Sequence, residues 1–201
     1  QGVKTYPTLE AFLGDGEIDV VTIGTPSGSH MEPTVAAARA GKHVLTEKPP
    51  AMTLKETDEM IDACRNAGVR LGCFVQCRVR DAIRAMKNAV DRGRFGTLLR
   101  ADASMKWFRP QEYYTADPWR GRKRSGSGVT VAQGFHYIDL LQHLAGPART
   151  VEARMANTGH PGINVEDDVV AHLQFAGGAQ GLVHLSTALW PGLDIRIELH
   201  G

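Results

Sequence analysis

Residues 17–50 read EIDVVTIGTPSGSHMEPTVAAARAGKHVLTEKPP, and the order of patterns within them decides the fold. "DVVTIG" is a short continuous apolar run, the pattern of a parallel strand buried on both faces. "MEPTVAAARAGKH" is alanine-rich and predicts a helix that Gly41 closes. "VLTE" is a second strand, and two prolines stop it at once. The pattern continues in both directions. Upstream, "TLEAFLGDG" predicts a short helix with Thr8 as its cap and Gly14 and Gly16 at its end. Downstream, "TLKETDEMIDACRNAG" predicts a helix capped by Thr53, with Met60, Ile61, Cys64 and Ala67 as one apolar stripe. "VRLGCFVQ" is a third strand. Strands alternating with helices through short links specify a parallel, doubly wound sheet.

After about residue 80 the pattern changes. "RDAIRAMKNAVDRGRFG" is an amphipathic helix with a glycine-rich end, and "TLLRADASMKWF" alternates like a strand. "GFHYIDLLQHLAG" is a helix. "TVEARMAN", "DDVVAHLQF" and "AQGLVHLSTALW" read as antiparallel strands, the last two joined by "AGGA". "IRIELHG" is again strand-like. The expected fold class is α/β. A partial Rossmann-type parallel sheet over 1–80 precedes an α+β domain over 81–201 with a mostly antiparallel open sheet.

Composition excludes several classes. The 201 residues carry 23 basic and 22 acidic side chains, a net charge of +1, so there is no basic field for nucleic acid. No apolar run approaches the roughly 20 residues that span a bilayer. The N-terminal "QGVKTYPTLE" has no signal-peptide core. Cys64, Cys73 and Cys77 are odd in number and irregular in spacing, which argues for a reducing compartment and a cytoplasmic location. Cys73 and Cys77 lack a second ligand pair, so no metal site is expected.

Four stretches carry candidate chemistry. Glu47-Lys48-Pro49 stands at the carboxyl end of a strand, where α/β sheets place their ligand crevice. Lys48 there is either a working ammonium group or half of a surface ion pair with Glu47. Its bond to Pro49 is a candidate for the cis isomer. "TPSGSH" (25–30) offers backbone N–H groups at a strand end. His136 and Asp139 are three apart on one helix face, either an acid–base group with its orienting carboxylate or a polar helix edge. His143 is expected to face elsewhere. The basic, glycine-rich "PWRGRKRSGSG" (118–128) is an active-site loop over an anion, a solvated loop or a nucleic-acid patch, and the near-neutral charge counts against the last.

Together these stretches resemble one family, the nicotinamide-dependent glucose–fructose oxidoreductase / inositol dehydrogenase (Gfo/Idh/MocA) oxidoreductases. The resemblance covers "EIDVVTIGTPSGSHMEPTVAAARAGKHVLTEKPPAMT", then "VQCRVRDAIRAMKNAVDRGRFGTLLRADASMKWFRPQEYY", "WRG" and "GFHYIDLLQHLAGP". "KWFRPQEYY" followed by "WRG" is most similar to the branch acting on nucleotide-linked or related sugar uronates. The resemblance implies hydride transfer between NAD or NADP and the hydroxyl-bearing carbon of a sugar, sugar acid or polyol. It implies Lys48 and His136 as catalytic residues handling the hydroxyl proton. It implies cofactor contacts from Thr25, Pro26, His30, Glu47, Lys48, Trp119 and Arg120, and substrate contacts from Lys106 and Asp139. It also implies a homo-oligomer formed through the C-terminal sheet.

Three departures from the family pattern stand out. No G-x-G-x-x-G occurs near the start, and the first helix is one that normally follows an earlier strand, so either further strands are expected before it or the fold is different. Ala132 occupies the position, four before the histidine, where the family usually has Asp or Asn. Gln76-Cys77-Arg78-Val79 replaces the frequent Q-N-R-F. Ala132 motivates a rival reading, a catalytically silent dinucleotide- or sugar-sensing protein on the same fold. A third is a purely structural domain built on the exposed sheet.

Overall fold

The computed structural model describes residues 2–123, 125 and 128–201. The chain divides into two compact units, one ending at Phe74 and one running from Val75 to Gly201. The first contains α1 (Leu9–Leu13), β1 (Val20–Ile23), α2 (Met31–Arg39), β2 (His43–Thr46), α3 (Leu54–Asn66) and β3 (Leu71–Cys73). Its strands pair in parallel in the order β1-β2-β3. Ile23 is level with Thr46, and Thr46 with Cys73, so all three strands end together. The loops that follow β1 and β2 therefore leave from one edge of the sheet.

Val21, Ile23 and Val44 of the strands bury against Ala37 and Ala38 of α2 and Cys64 of α3. The small side chains at 37 and 38 are fully buried and let the helix lie close to the sheet. Gly41, at φ +72°, takes the chain from α2 directly into β2, a turn that a Cβ would strain. A reciprocal capping box opens α3: the Thr53 hydroxyl accepts from the Glu56 N–H, and the Glu56 carboxylate accepts from the Thr53 N–H. Thr53→Ala is expected to cost about 1 kcal/mol, read as a lower urea midpoint at unchanged slope.

The second unit contains α4 (Asp81–Asp91), β4 (Arg100–Lys106), α5 (Glu112–Thr115), α6 (Val129–Ala132), α7 (Phe135–Ala145), β5 (Ala148–Ala156), β6 (Asp168–Phe175), β7 (Gln180–Ser186) and β8 (Arg196–His200). Its sheet has the order β5-β6-β7-β4-β8. All pairs are antiparallel except β4 with β7. Ala101, Ala103 and Met105 of β4 join Val169, Ala171 and Phe175 of β6 and Val183 and Leu185 of β7 in one core with Tyr137, Leu140 and Leu141 of α7. The alternate β4 residues, Arg100, Asp102, Ser104 and Lys106, take the opposite face. The fold is α/β, a partial Rossmann-type sheet followed by a mostly antiparallel mixed sheet.

Sequence periodicity expects the break near residue 80. The structure divides after Phe74 because the 3-10 turn Gln76–Val79 belongs to the second unit. Cys77 is buried in the second core, and Arg78 is bonded to α7. No helix among the described residues is long and apolar enough to cross a membrane.

Candidate active site

In the first unit the candidate residues gather where β1 and β2 end. The Glu47 N–H donates to Ile23 O (2.9 Å), and the Phe74 N–H donates to Thr46 O (2.9 Å), so the parallel ladder continues into the loop carrying Lys48. The Lys48 N–H donates to the Glu47 carboxylate (3.3 Å). The Lys48–Pro49 peptide is cis. Thr25, Pro26 and Glu47 are exposed, while Lys48 is half-buried. An exposed row at the carboxyl ends of parallel strands is where α/β sheets bind their ligands.

His30 is placed differently from the expectation that it lines this surface. Its ring is 1% exposed. Nδ1 lies 2.9 Å from Pro49 O and Nε2 lies 2.8 Å from Thr25 O, so both nitrogens are engaged by backbone carbonyls. A neutral ring satisfies one carbonyl and a protonated ring satisfies both. His30 thus ties the loop after β1 to the loop after β2 and holds the peptide next to Lys48. The Thr34 hydroxyl donates to His30 O (2.8 Å) and anchors the clamp to α2. His30→Ala leaves two carbonyls without this partner, and a loss of about 1–3 kcal/mol is expected, measured by urea unfolding.

In the second unit His136 is the second residue of α7, half-buried, with its ring edge-on to Phe135 at 6.1 Å. Gly134 sets its height. A Cβ at 134 would lie 2.3 Å from Leu185 Cδ1 and 2.9 Å from Val129 O, so only glycine lets α7 start this close to β7. Ala132 ends α6, its N–H donating to Gly128 O (2.9 Å). Asp139, expected to contact substrate, faces Arg78. Arg78 Nε donates to one carboxylate oxygen (2.7 Å) and Nη2 donates to the other. This fork pins the 3-10 turn to α7. The arginine retained in the Gln76-Cys77-Arg78-Val79 departure is the side chain that makes it.

His143 lies two turns after His136 and one after Asp139, so it shares their helix face rather than pointing elsewhere. Burial pushes its pKa down, and the Arg78 and Lys87 charges act the same way. Lys106 alternates onto the sheet face opposite Met105, the side of the sheet away from the core shared with α7. Arg120 is largely engaged within its own unit. It pairs with Asp117 (3.0 Å), donates to Tyr113 O (3.3 Å), stacks 4.3 Å above the Tyr113 ring and lies 5.5 Å from the Trp119 ring. Trp119 is 46% exposed. Arg124, Gly126 and Ser127 of the basic loop lie outside the described residues.

One buried pair had no sequence signal. His160 (3% exposed) and Asp167 (fully buried) meet at 2.8 Å, Nδ1 to Oδ2, inside "NTGHPGINVED", which reads as an ordinary loop. Asp167 also accepts from the N–H groups of Thr158 (2.7 Å), Gly159 (2.8 Å) and His160 (3.0 Å) and from the Thr158 hydroxyl (3.0 Å). Burial pushes the Asp167 carboxyl up. The donors from Thr158, Gly159 and His160 outweigh it, so the pKa lies below the usual carboxylate value.

Comparison with known proteins places this geometry. Residues 1–75 match the family model described as an oxidoreductase family with an NAD-binding Rossmann fold, and residues 83–201 match the GFO/IDH/MocA C-terminal domain. The chain belongs to the GFO/IDH/MocA oxidoreductase family. It is 37% identical over 185 residues to 1,5-anhydro-D-fructose reductase of Ensifer adhaerens, covering 90% of this chain and 54% of that protein. It is 28% identical over 193 residues to scyllo-inositol 2-dehydrogenase (NADP(+)) of Bacillus subtilis, covering 96% and 52%. Among solved structures, the WlbA dehydrogenase of Bordetella pertussis, in complex with NADH and UDP-GlcNAcA, superposes with a TM-score of 0.91 at 36% identity, covering 96% of this chain and 59% of that one. The GFO/IDH/MocA chain studied here thus spans a little over half the length of these relatives.

Proposed function

We propose that this chain is part of an NAD(P)-dependent sugar or polyol dehydrogenase. One observation carries the reading. In a segment matching an NAD-binding Rossmann family, Lys48 stands at the level carboxyl ends of three parallel strands, on a loop held by His30 and the β1 carbonyl. When bound, a nicotinamide accepts or returns the hydride of the sugar C–H. The residues of this chain handle the remainder. As the C–H leaves with its electron pair, the adjacent O–H loses its proton and becomes a carbonyl. We assign that proton to the Lys48 Nζ, with His136 as a second acid–base group. Thr25, Pro26 and Glu47 are assigned to the nicotinamide side of the cofactor, with His30 acting behind them as a positioning residue. Trp119 is assigned to the cofactor through its exposed ring.

Two further readings rest on narrower observations. The other face of the sheet presents Arg100, Asp102, Ser104 and Lys106, and we assign it to subunit pairing. Cys64 and Cys77 are buried free thiols, which fits a cytoplasmic protein. Ala132 favours the sensor as the second functional reading, because its methyl group handles no proton.

The test follows reduced-nicotinamide absorbance in the protein from the complete reading frame. NAD and then NADP are offered with inositol, simple sugars and sugar acids, and cofactor binding is followed by protein fluorescence. Turnover with one sugar class supports the dehydrogenase. Cofactor binding without turnover on the whole panel supports the sensor, and no cofactor binding at all removes both readings.

A further inference from the structure

The second unit holds an arginine that is fixed in place with no anion beside it among the described residues. Arg109 follows β4, and its backbone is anchored on both sides. Its N–H donates to Thr187 O (2.8 Å), and its C=O lies 2.8 Å from His160 Nε2. His160 is itself held by the buried Asp167 carboxylate. Tyr114 closes the cluster, its hydroxyl 2.9 Å from Thr187 Oγ1 and its ring 4.6 Å from that of His160. A buried, hydrogen-bonded His–Asp pair is thus spent on a loop residue whose own side chain points elsewhere.

That side chain is a guanidinium lying 3.9 Å above the Trp107 ring and 5.2 Å from the Tyr113 ring. Stacking fixes its plane but satisfies none of its in-plane N–H groups. Arg109 Nε is occluded from water and has no hydrogen-bond partner among the described residues. Arg120, on the other side of Tyr113, is neutralised by Asp117, whereas no carboxylate among the described residues lies within 4.0 Å of Arg109. A buried N–H of a charged group left unmade is costly. The rigid seat behind it preserves that cost, as a preformed anion receptor does.

The neighbouring polar atoms are of the opposite kind. Gln133 donates to the Tyr113 hydroxyl (3.1 Å) and Gln111 donates to Pro161 O (3.1 Å), and the side-chain oxygen of each is buried with no partner among the described residues. The inventory is one charged planar donor and two neutral acceptors beside half-exposed aromatic rings. It is complementary to a ligand with one oxyanion and several hydroxyls. Trp107, 46% exposed, adds an apolar face for ring C–H groups.

We propose that Arg109, with Gln111 and Gln133, forms a subsite for the anionic group of a sugar acid or sugar phosphate. His160 and Asp167 act as positioning residues that hold Arg109 through its carbonyl. The proposal rests on the dehydrogenase reading for its role in turnover, but the binding itself does not require turnover.

The experiment uses the full-length protein, saturated with NADH, in calorimetric titrations with D-glucuronate, D-glucose 6-phosphate and D-glucose. An anionic sugar is expected to bind wild type more tightly than D-glucose. Arg109→Gln is expected to weaken that anionic sugar about 10- to 100-fold, the loss of a charge-assisted bidentate contact, with D-glucose unchanged. Arg109→Lys restores part of the affinity by charge alone. Carboxylate and phosphate are told apart by which of the two anionic sugars responds. Thermal unfolding of both variants controls for loss of fold. Equal binding of all three sugars to wild type, no binding of either anionic sugar, or an Arg109→Gln effect on NADH affinity in place of sugar affinity overturns the proposal. Arg109-dependent anion binding without turnover leaves the subsite standing and removes only the dehydrogenase.

Discussion

Lys48→Met in the complete protein lowers kcat by about 10²–10⁴-fold, the usual contribution of a positioned acid–base group. Methionine keeps the length of the side chain and removes the proton-carrying amine. The loop itself is held by backbone contacts, Glu47 N–H to Ile23 O and Pro49 O to His30, which the substitution does not touch. Cofactor affinity and unfolding temperature therefore stay close to wild type while turnover falls. Steady-state kinetics with the sugar found in the panel, beside fluorescence titration of NADH, read both quantities. A fall in cofactor affinity that accounts for the lost rate would make Lys48 a binding residue and leave the proton to His136.

Asp167→Asn costs about 1–3 kcal/mol of stability, the range for leaving buried hydrogen-bonding groups without their partner. An amide at this position has one oxygen for the donors of Thr158, Gly159 and His160, and its NH₂ group faces N–H groups it cannot bond. The same carboxylate sets a pH dependence. Its folded pKa lies below the unfolded value, so its stabilising contribution is complete above the ordinary carboxylate range. It is lost as pH falls through the lowered folded value. Urea unfolding from neutral to acidic pH is expected to show wild-type stability falling over the acidic end. The curve for Asp167→Asn is flatter there, because the amide does not titrate. Parallel curves for the two proteins would mean that another carboxylate governs acid sensitivity.

The first sheet was legible because its signals are local. Apolar runs at 20–23 and 43–46 are short and bounded, Gly41 marks a helix end, and Thr53 with Glu56 spells a capping box. The β6–β7 hairpin was legible for the same reason, since Gly178 supplies a positive φ within "AGGA". The parallel pairing of β4 with β7 was not, because no local pattern tells a strand which distant strand it joins. The face of Lys106 depended on that placement. Asp139 was correctly put on the face of His136, but its partner Arg78 is 61 residues away in sequence. A spacing argument has no access to such a pair.

His30 shows a different limit. Its place after "TPSGS" marks it as part of the loop at the end of β1, and both its carbonyl partners belong to the two loops that matter. Sequence gives the neighbourhood of a histidine, but burial decides whether it touches a ligand or braces a backbone. At 1% exposure with both nitrogens occupied, it braces.

The central claim is that a hydride passes directly between a sugar carbon and a nicotinamide. The most direct measurement supplies the complete protein with NAD or NADP and the responsive sugar deuterated at the carbon that is oxidised, then weighs the reduced cofactor by mass spectrometry. Reduced cofactor carrying one deuterium per turnover, formed by wild type and not by Lys48→Met, is the result this account predicts. Cofactor that is bound but never labelled, or labelling that proceeds equally well without Lys48, would contradict it.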